Sequence, residues 1–263
     1  MKRYIDIGVN LTGSSFRDDL EQVIERATEV GVEYMIITGT DIQHSQRALS
    51  LAERFDSVCY ATVGLHPHNA SDYSASMASE LKEMLSHEKA VAVGECGLDF
   101  NRNFSSRSEQ IRAFEAQLEI AIDLGMPVFL HQRDAHEDFV SMIKNYRTDL
   151  SQLVAHCFTG NIAEVNDYVL LDMYVGLTGW ICDERRGGDL REAVKHIPLD
   201  RVMLETDAPY LLPRDLDERP VKKNRNEPSF LPHIARSVSK YMSVDEERLI
   251  SAAYENSRSF FFK

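Results

Sequence analysis

Short apolar segments alternate with longer amphipathic segments along the 263-residue chain. Several of the short segments are nearly continuous in Val, Ile, Leu and Met, which is typical of strands in a parallel sheet that helices cover. The longer segments place apolar residues every three or four positions, as an amphipathic helix does. The predicted strands are residues 4–9, 33–38, 58–64, 90–94, 127–130, 153–155, 173–177 and 201–204.

This alternation of strand and helix predicts the fold class. Eight β-α units in a chain of this length favour an α/β fold, the TIM (β/α)8 barrel, with a doubly wound open sheet as the alternative. No Pro-, Gly- or Ser-rich linker divides the sequence, so we expect residues 1–263 to form a single domain. The predicted helices are residues 16–30, 42–55, 75–86 and 108–124, with two closing helices from residue 231 onward.

The charge of the chain limits its partners. Lys and Arg number 29 and Asp and Glu 42, which gives a net charge of −13. Such an acidic surface argues against nonspecific coating of DNA or of an anionic membrane, but it allows a local basic patch or a metal site. The sequence has no G-x-G-x-x-G after the first strand and no G-x-x-x-x-G-K-[ST], which disfavours a nucleotide cofactor or a P-loop.

Several features predict a cytoplasmic protein. The four cysteines form no C-x-x-C pair, which fits reduced thiols better than disulfides or a zinc ribbon. The N-terminal MKRYIDIGVNLT has a short, interrupted apolar stretch, and we interpret it as a first strand rather than a signal peptide. No run of about 18 apolar residues occurs, so no transmembrane helix is expected.

Polar side chains follow five of the predicted strands, at the end where a TIM-barrel enzyme carries its chemistry. A single histidine at such a place is more often structural than a ligand. Several histidines and carboxylates that converge on one barrel mouth are costly to bury unless a cation binds them. We therefore expect a divalent metal there, and this ligand type suits Mg²⁺, Mn²⁺ or Zn²⁺. The residues at these strand ends are His66, Glu95, His131, His156, Glu205 and Asp207.

Two cysteines stand next to these residues. Cys96 follows Glu95 and Cys157 follows His156. Because neighbouring residues of a strand point to opposite faces, we expect both thiols to pack against helices rather than to bind the metal.

At these residues the chain resembles the TatD family of metal-dependent deoxyribonucleases, within the amidohydrolase-like TIM barrels of metal-dependent hydrolases. GECGLDF and ETDAPYL are the most specific matches. The matching segments are DIGVNLT at 6–12, GLHPH at 64–68, VGECGLDFNRN at 93–103, PVFLHQRDAHE at 127–137, AHCFTG at 155–160, GLTGWICDERRG at 176–187 and LETDAPYLLPR at 204–214.

The resemblance implies a cytoplasmic nuclease that hydrolyses phosphodiesters with a divalent metal. One branch of the family resembles a 3′-to-5′ exonuclease that prefers single-stranded DNA and RNA, uses Mg²⁺ and is associated with repair of oxidative DNA damage. Glu95, His131 and His156 would be metal ligands. Asp207 would be a ligand that also takes the proton of the attacking water, and His66 would sit at the rim near the substrate phosphate.

Two further residues of the matching motifs complete the expected site. The expected catalytic residues are Asp207, Glu95, His66 and Glu205. His68 is expected to contact the substrate together with His66. Many relatives carry an H-x-H pair at the end of the first strand, where this chain has Gly8 and Asn10. Because of this departure, a second metal site would lack ligands. One firmly bound ion, or Mg²⁺ that arrives partly with substrate phosphates, is therefore favoured over two tightly bound metal ions.

Basic and aromatic residues in the loops after the strands are the candidate substrate contacts. Arg133, Arg185 and Arg214 are expected to bind phosphates, and Trp180, the only tryptophan, is the first choice for base stacking. The most basic stretch, RPVKKNRNEP at 219–228, is either a solvated loop or a phosphate track. The further candidate cations are Arg102, Arg186, Lys222, Lys223 and Arg225.

Two other functions remain open from the sequence. An amidohydrolase or deacylase would use the same barrel and metal on a carbonyl centre, although the missing H-x-H pair and the lack of a strand-end lysine argue against it. A non-catalytic binding protein that has lost its metal pair is the other alternative. We expect a monomer without an obligate protein partner, because a closed barrel leaves no sheet edge to pair.

Overall fold

Eight parallel strands form one sheet in which each strand pairs with the next one along the chain. The structure is a computed structural model that describes residues 2–216, 222 and 224–262. The strands are β1 (Tyr4–Val9), β2 (Val32–Ile37), β3 (Cys59–Val63), β4 (Ala90–Asp99), β5 (Val128–Arg133), β6 (Leu153–Ala155), β7 (Tyr174–Leu177) and β8 (Val202–Leu204).

The sheet curves into a nearly closed barrel because the segment after β8 returns to β1. Val9 forms a parallel bridge with Ala208. The backbone N–H of Asp207 donates to the carbonyl of Gly8 at 2.9 Å, and the N–H of Asn10 donates to the carbonyl of Ala208 at 2.7 Å. The predicted TIM barrel is confirmed, and the open doubly wound alternative is wrong.

Helices connect successive strands and cover the outside of the barrel. The first one begins at Leu20, later than predicted, because Ser14–Phe16 form a short 3-10 helix that buries Phe16. No described helix is long and apolar enough to cross a membrane. The helices are α1 (Leu20–Glu29), α2 (Ile42–Arg54), α3 (Ala75–Leu85), α4 (Arg107–Leu124), α5 (His136–Tyr146), α6 (Ile162–Leu170), α7 (Gly188–Ala193), α8 (Leu231–Met242) and α9 (Glu246–Phe261).

Apolar side chains fill the interior of the barrel below its carboxyl-terminal mouth. Ile7, Phe129 and Met203 meet there, and all three are fully buried. Phe260 and Phe261 of α9 pack against the same cluster. The interior is therefore a packed core, and the polar ends of the strands are the part of the barrel open to a ligand.

Strand β4 is longer than the sequence predicts, since it continues to Asp99. Gly94 and Gly97 have φ values of 138° and 144°, which side chains other than glycine rarely adopt. A Cβ at Gly97 would lie 1.9 Å from the carbonyl oxygen of His131, so β4 runs too close to β5 for any other residue. The pairing of β4 with β5 is irregular between Val93 and Cys96. Glu95 thus lies within the strand and not after it.

Candidate active site

Three imidazoles surround one carboxylate oxygen at the mouth of the barrel. Glu95 Oε1 lies 2.7 Å from His131 Nδ1, 2.8 Å from His156 Nε2 and 3.3 Å from His66 Nε2. Glu95 belongs to β4 and His131 to β5, while His156 and His66 follow β6 and β3. Four elements of the barrel therefore bring these side chains together, and only 6% of Glu95 is exposed.

The charges of this cluster are strongly coupled. Burial by itself raises the pKa of Glu95, but His156 and His66 beside it hold that pKa well below its usual range. Burial lowers the pKa of His156, and the carboxylates of Glu95 and Glu205 raise it well above its usual value. Positive charge on the imidazoles thus compensates the carboxylate, and a bound cation could supply the same compensation.

Asp207 faces the same cavity from the end of β8. Its Oδ1 accepts a hydrogen bond from Asn10 Nδ2 at 3.0 Å. Burial raises the pKa of Asp207 to about 7, with the charges of Glu205 and Glu95 acting in the same direction. Asn10 is therefore a partner that orients Asp207, a role that the sequence analysis did not foresee.

The carboxylate of Glu205 occupies the space beside Gly8. A Cβ at Gly8 would lie 2.4 Å from Glu205 Oε2, and a Cβ at Gly176 would lie 2.4 Å from Glu205 Oε1. The fully buried Glu205 accepts a hydrogen bond from the backbone N–H of Cys157 and lies 3.3 Å from His156 Nδ1. A histidine at position 8 would require Glu205 to move, so the fold as it stands does not accommodate the first residue of an H-x-H pair here.

Asp6 lies below the site and supports the segment that carries Asp207. Its Oδ1 accepts from the backbone N–H of Thr206 at 2.8 Å, and its Oδ2 accepts from the Thr206 hydroxyl at 2.5 Å. Burial nevertheless raises the pKa of Asp6 to about 8. In the folded protein this carboxyl therefore binds its proton much more tightly than in the unfolded chain.

This shift predicts how Asp6→Asn changes the dependence of stability on pH. A raised folded-state pKa stabilises the protein fully below the unfolded pKa, near about pH 4, and the contribution is lost as the pH rises to about 8. The unfolding free energy of the wild type relative to Asp6→Asn should therefore fall over that range, by up to about 1.4 kcal/mol per pH unit. Urea unfolding of both proteins at several pH values measures it. A difference that does not change with pH would contradict the expectation.

His66 lines the cavity at the mouth of the barrel, and only 9% of it is exposed. The backbone N–H of His68 donates to His66 Nδ1 at 3.0 Å, so a neutral His66 carries its proton on Nε2. Burial lowers the pKa of His66, which favours that neutral form. His68 Nε2 in turn lies 2.7 Å from Asp99 Oδ2, and His131 Nε2 lies 3.6 Å from the same oxygen.

The donor set of the cluster fits a divalent cation. Donor atoms of His66, Glu95 and His131 lie within 4.8 Å of one another. His131 Nε2 is buried with no hydrogen-bond partner within 3.5 Å, since Asp99 Oδ2 lies 3.6 Å away. Carboxylate oxygens and imidazole nitrogens are ligands for Mg²⁺, Mn²⁺ and Zn²⁺. The cluster is thus a candidate metal-binding site.

A family model described as TatD related DNase matches residues 5–262. The chain belongs to the TatD family. This family of metal-dependent hydrolases is the one that the sequence motifs indicated, and the match includes all eight strands except Tyr4, the first residue of β1.

Similar proteins agree with this assignment. The protein "3'-5' ssDNA/RNA exonuclease TatD" of Pectobacterium carotovorum subsp. carotovorum (strain PC1) is 50% identical over 256 residues, which cover 97% of this chain and 98% of the relative. A TatD family hydrolase from Entamoeba histolytica has a similar structure, with a TM-score of 0.91, 25% identity and coverage of 99% and 98%. The TatD homolog YJJV from Escherichia coli K12 gives a TM-score of 0.88 at 27% identity, with 98% of both chains covered.

A cavity of about 720 Å³ opens above the cluster of this TatD family member. Arg133 lines it, as does His68. Arg185 and Arg214 do not line it, and both lie beside the buried carboxylate of Asp183, at 3.5 Å and 3.0 Å. The further cations that do line the cavity are Arg102 and Arg186.

The basic stretch 219–228 does not form a phosphate track in its described part. Arg225 is only 5% exposed, and it binds Asp19 at 2.8 Å and Glu227 at 2.5 Å. Lys222 lies 3.1 Å from the same Asp19. The prediction that Arg225 contributes to a phosphate track is therefore wrong, because Asp19, 206 residues earlier in the chain, and Glu227 compensate its charge. Residues 219–221 and Lys223 lie outside the described residues.

The aromatic residues at the cavity differ in exposure. Trp180 lines the cavity, is partly buried and lies under the guanidinium of Arg186, which is 4.0 Å from the ring centre. Tyr210 lines the cavity and is 61% exposed. Phe104 is 68% exposed and packs edge-on against His68, with ring centres 4.8 Å apart. Trp180 therefore remains a candidate for base stacking, and the exposed rings of Tyr210 and Phe104 are two further candidates.

The two cysteines of the motifs behave differently. Cys96 is fully buried in the core, as expected. Cys157 lines the cavity, and its Sγ lies 3.9 Å from Thr178 Oγ1, so its predicted packing against a helix is wrong. The reason is that β6 ends at Ala155 and Cys157 has a φ of 47°, so the alternation of a strand does not extend to it.

Proposed function

We propose that this TatD family member is a 3′-to-5′ exonuclease that hydrolyses phosphodiester bonds of single-stranded DNA and RNA with a divalent cation. The observation that carries the proposal is the convergence of three imidazoles on Glu95 Oε1 beneath an open cavity. The name of the Pectobacterium relative, at 50% identity, supports the same reaction.

We propose that Glu95, His131, His156 and Asp207 hold one ion, with Mg²⁺ preferred over Mn²⁺ and Zn²⁺. A bound divalent cation polarises a phosphoryl oxygen and lowers the pKa of a coordinated water. The carboxylate of Glu205 fills the space beside Gly8 and leaves no room for a ligand side chain there, which supports one ion rather than two. Glu205 acts through His156, because it is buried beneath that ring and does not line the cavity.

The side chains around the ion have separate tasks. Asn10 occupies Asp207 Oδ1, which leaves Oδ2 to accept the proton of the attacking water. The Nε2–H of neutral His66 points into the cluster, so it can donate to a phosphate or leaving-group oxygen. Arg102 and Arg133 line the cavity as cations for the neighbouring phosphates.

Degradation of a 5′-labelled single-stranded oligonucleotide tests the proposed function. With Mg²⁺ we expect products that shorten one nucleotide at a time from the 3′ end, and none when a chelator is present. A phosphorothioate linkage at the 3′ end should block the reaction, and the same linkage at the 5′ end should not. Release of label as a mononucleotide at the start of the reaction, or no degradation, would contradict it.

Stacking of substrate bases on Tyr210 and Phe104 is expected because both rings are exposed beside the cavity. Tyr210→Ala and Phe104→Ala should each raise KM by about 5- to 160-fold, the range given by ~1–3 kcal/mol per stacked base. Tyr210→Phe keeps the ring and should stay near the wild-type KM. Steady-state assays with a single-stranded oligonucleotide measure these values, and an unchanged KM in both alanine variants would assign base binding elsewhere.

We also propose a monomer that acts in the cytoplasm, with oxidatively damaged DNA among its substrates. All four cysteines are unpaired thiols, which supports a reducing compartment. The nearly closed barrel offers little sheet edge for pairing with another chain, which supports the monomer.

A further inference from the structure

A second group of metal-ligand types lies outside the candidate active site. It consists of Cys182, Asp215 and His233, whose donor atoms all lie within 4.8 Å of one another. Cys182 ends the 3-10 helix Gly179–Cys182 after β7, Asp215 lies in the loop after β8, and His233 is in the first turn of α8. None of the three lines the active-site cavity.

We propose that Cys182, Asp215 and His233 bind a Zn²⁺ ion that fastens the loop after β8 to α8. A thiolate, a carboxylate and a neutral imidazole are all zinc ligands, and their two negative charges match a divalent cation. The soft sulfur favours Zn²⁺ over Mg²⁺, so this site differs in chemistry from the oxygen- and nitrogen-rich cluster around Glu95.

The three residues are held near one another by contacts that do not involve a metal. Arg214, directly before Asp215, lies 3.0 Å from Asp183, directly after Cys182. A Cβ at Gly179 would lie 2.3 Å from the carbonyl oxygen of Leu211, so the 3-10 helix and the loop are in close backbone contact. Two of the three ligands thus come from segments that are already packed together, which reduces the entropy lost when an ion binds.

The exposure of the three side chains suits a tetrahedral site. Cys182 is fully buried, whereas the side chains of His233 and Asp215 are 17% and 46% exposed. The sulfur of Cys182 therefore lies on the buried side of the site. On the solvent-exposed side, a water molecule can be the fourth ligand.

An ion pair alone explains only part of this arrangement. His233 Nε2 lies 2.8 Å from Asp215 Oδ1, and the buried thiol of Cys182 beside this pair is hydrogen-bonded to Asp215 and to Ser237. Burial raises the pKa of Cys182 to about 12, so without a cation the thiol is neutral. Binding converts Cys–SH and Zn²⁺ into a zinc thiolate and releases the proton to solvent.

Cobalt substitution tests the site independently of nuclease activity. Full-length protein stripped with a chelator is titrated with Co²⁺, and the thiolate-to-cobalt charge-transfer band in the near ultraviolet is recorded. We expect the band in the wild type and its loss in Cys182→Ser. Cys157→Ser is the matched control, because Cys157 is the thiol at the active-site cavity and its loss should leave the band unchanged.

Zinc affinity provides the second readout. Competition with a chromophoric chelator should show at least about 100-fold weaker Zn²⁺ binding at this site in Cys182→Ser and His233→Gln, more than the ~10–100-fold typical of a lost outer-shell partner. Circular dichroism verifies that the variants fold. No band in the wild type, or a band that Cys182→Ser retains, would overturn the proposal. The exonuclease proposal does not depend on this outcome, because the two sites share no residue.

Discussion

Replacing Glu95 by Gln should lower the rate of nucleotide release from single-stranded DNA by at least about 10³-fold, because it removes the charge on which three imidazoles converge. The side chain keeps its size, so the barrel should still fold. Rates are measured under saturating Mg²⁺ with the 5′-labelled oligonucleotide.

The matched control for this variant is Glu80→Gln. Glu80 is an exposed residue of α3, on the outside of the barrel, and its replacement should leave the rate unchanged. Circular dichroism and thermal unfolding verify the fold of both proteins. A Glu95→Gln variant with a rate close to that of the wild type would show that the metal cluster takes no part in the reaction.

Asp207→Asn should lower kcat by about 10²- to 10⁴-fold, the usual contribution of a positioned general base. Asparagine keeps an oxygen for the hydrogen bond from Asn10, so its position should be preserved, but its amide cannot take a proton at Oδ2. Because the proton moves only in the reaction step, the Kd for single-stranded DNA should change much less than kcat.

The binding measurement separates the two roles of Asp207. Fluorescence anisotropy with a labelled oligonucleotide in the presence of Ca²⁺ gives the Kd, and quenched-flow experiments give the rate of cleavage. Asn10→Ala, which removes the hydrogen bond but keeps the carboxylate, should have a smaller effect on kcat than Asp207→Asn. An equal loss in both variants would mean that the orientation of Asp207 matters rather than its proton affinity.

The barrel and the core of the site were predictable because both depend on local patterns. Apolar segments of strand length fix where the strands run, and the first polar residue after each one lies at the mouth once the sheet closes. Glu95, His131 and His156 come together for this reason. The continuation of β4 was not predictable, because it depends on how closely Gly97 approaches the backbone of β5.

The substrate contacts were less predictable because they depend on partners distant in sequence. Arg225 is a basic residue of a charged stretch in the sequence, but in the fold its charge is compensated by Asp19. Arg185 and Arg214 form ion pairs with Asp183, and the guanidinium of Arg186 stacks on the ring of Trp180. Asp99 was overlooked, although it ends the GECGLD motif, and only the fold shows that His68 and His131 share it.

An anomalous-difference map of crystals soaked in Mn²⁺ tests most directly whether the cluster at the barrel mouth holds the catalytic cation. A strong peak is expected within about 2.5 Å of the carboxylate of Glu95 and of ring nitrogens of His131 and His156, with Asp207 completing the coordination. A map with no peak there, in crystals whose Mn²⁺ occupies other positions, would contradict a metal-dependent reaction at this site.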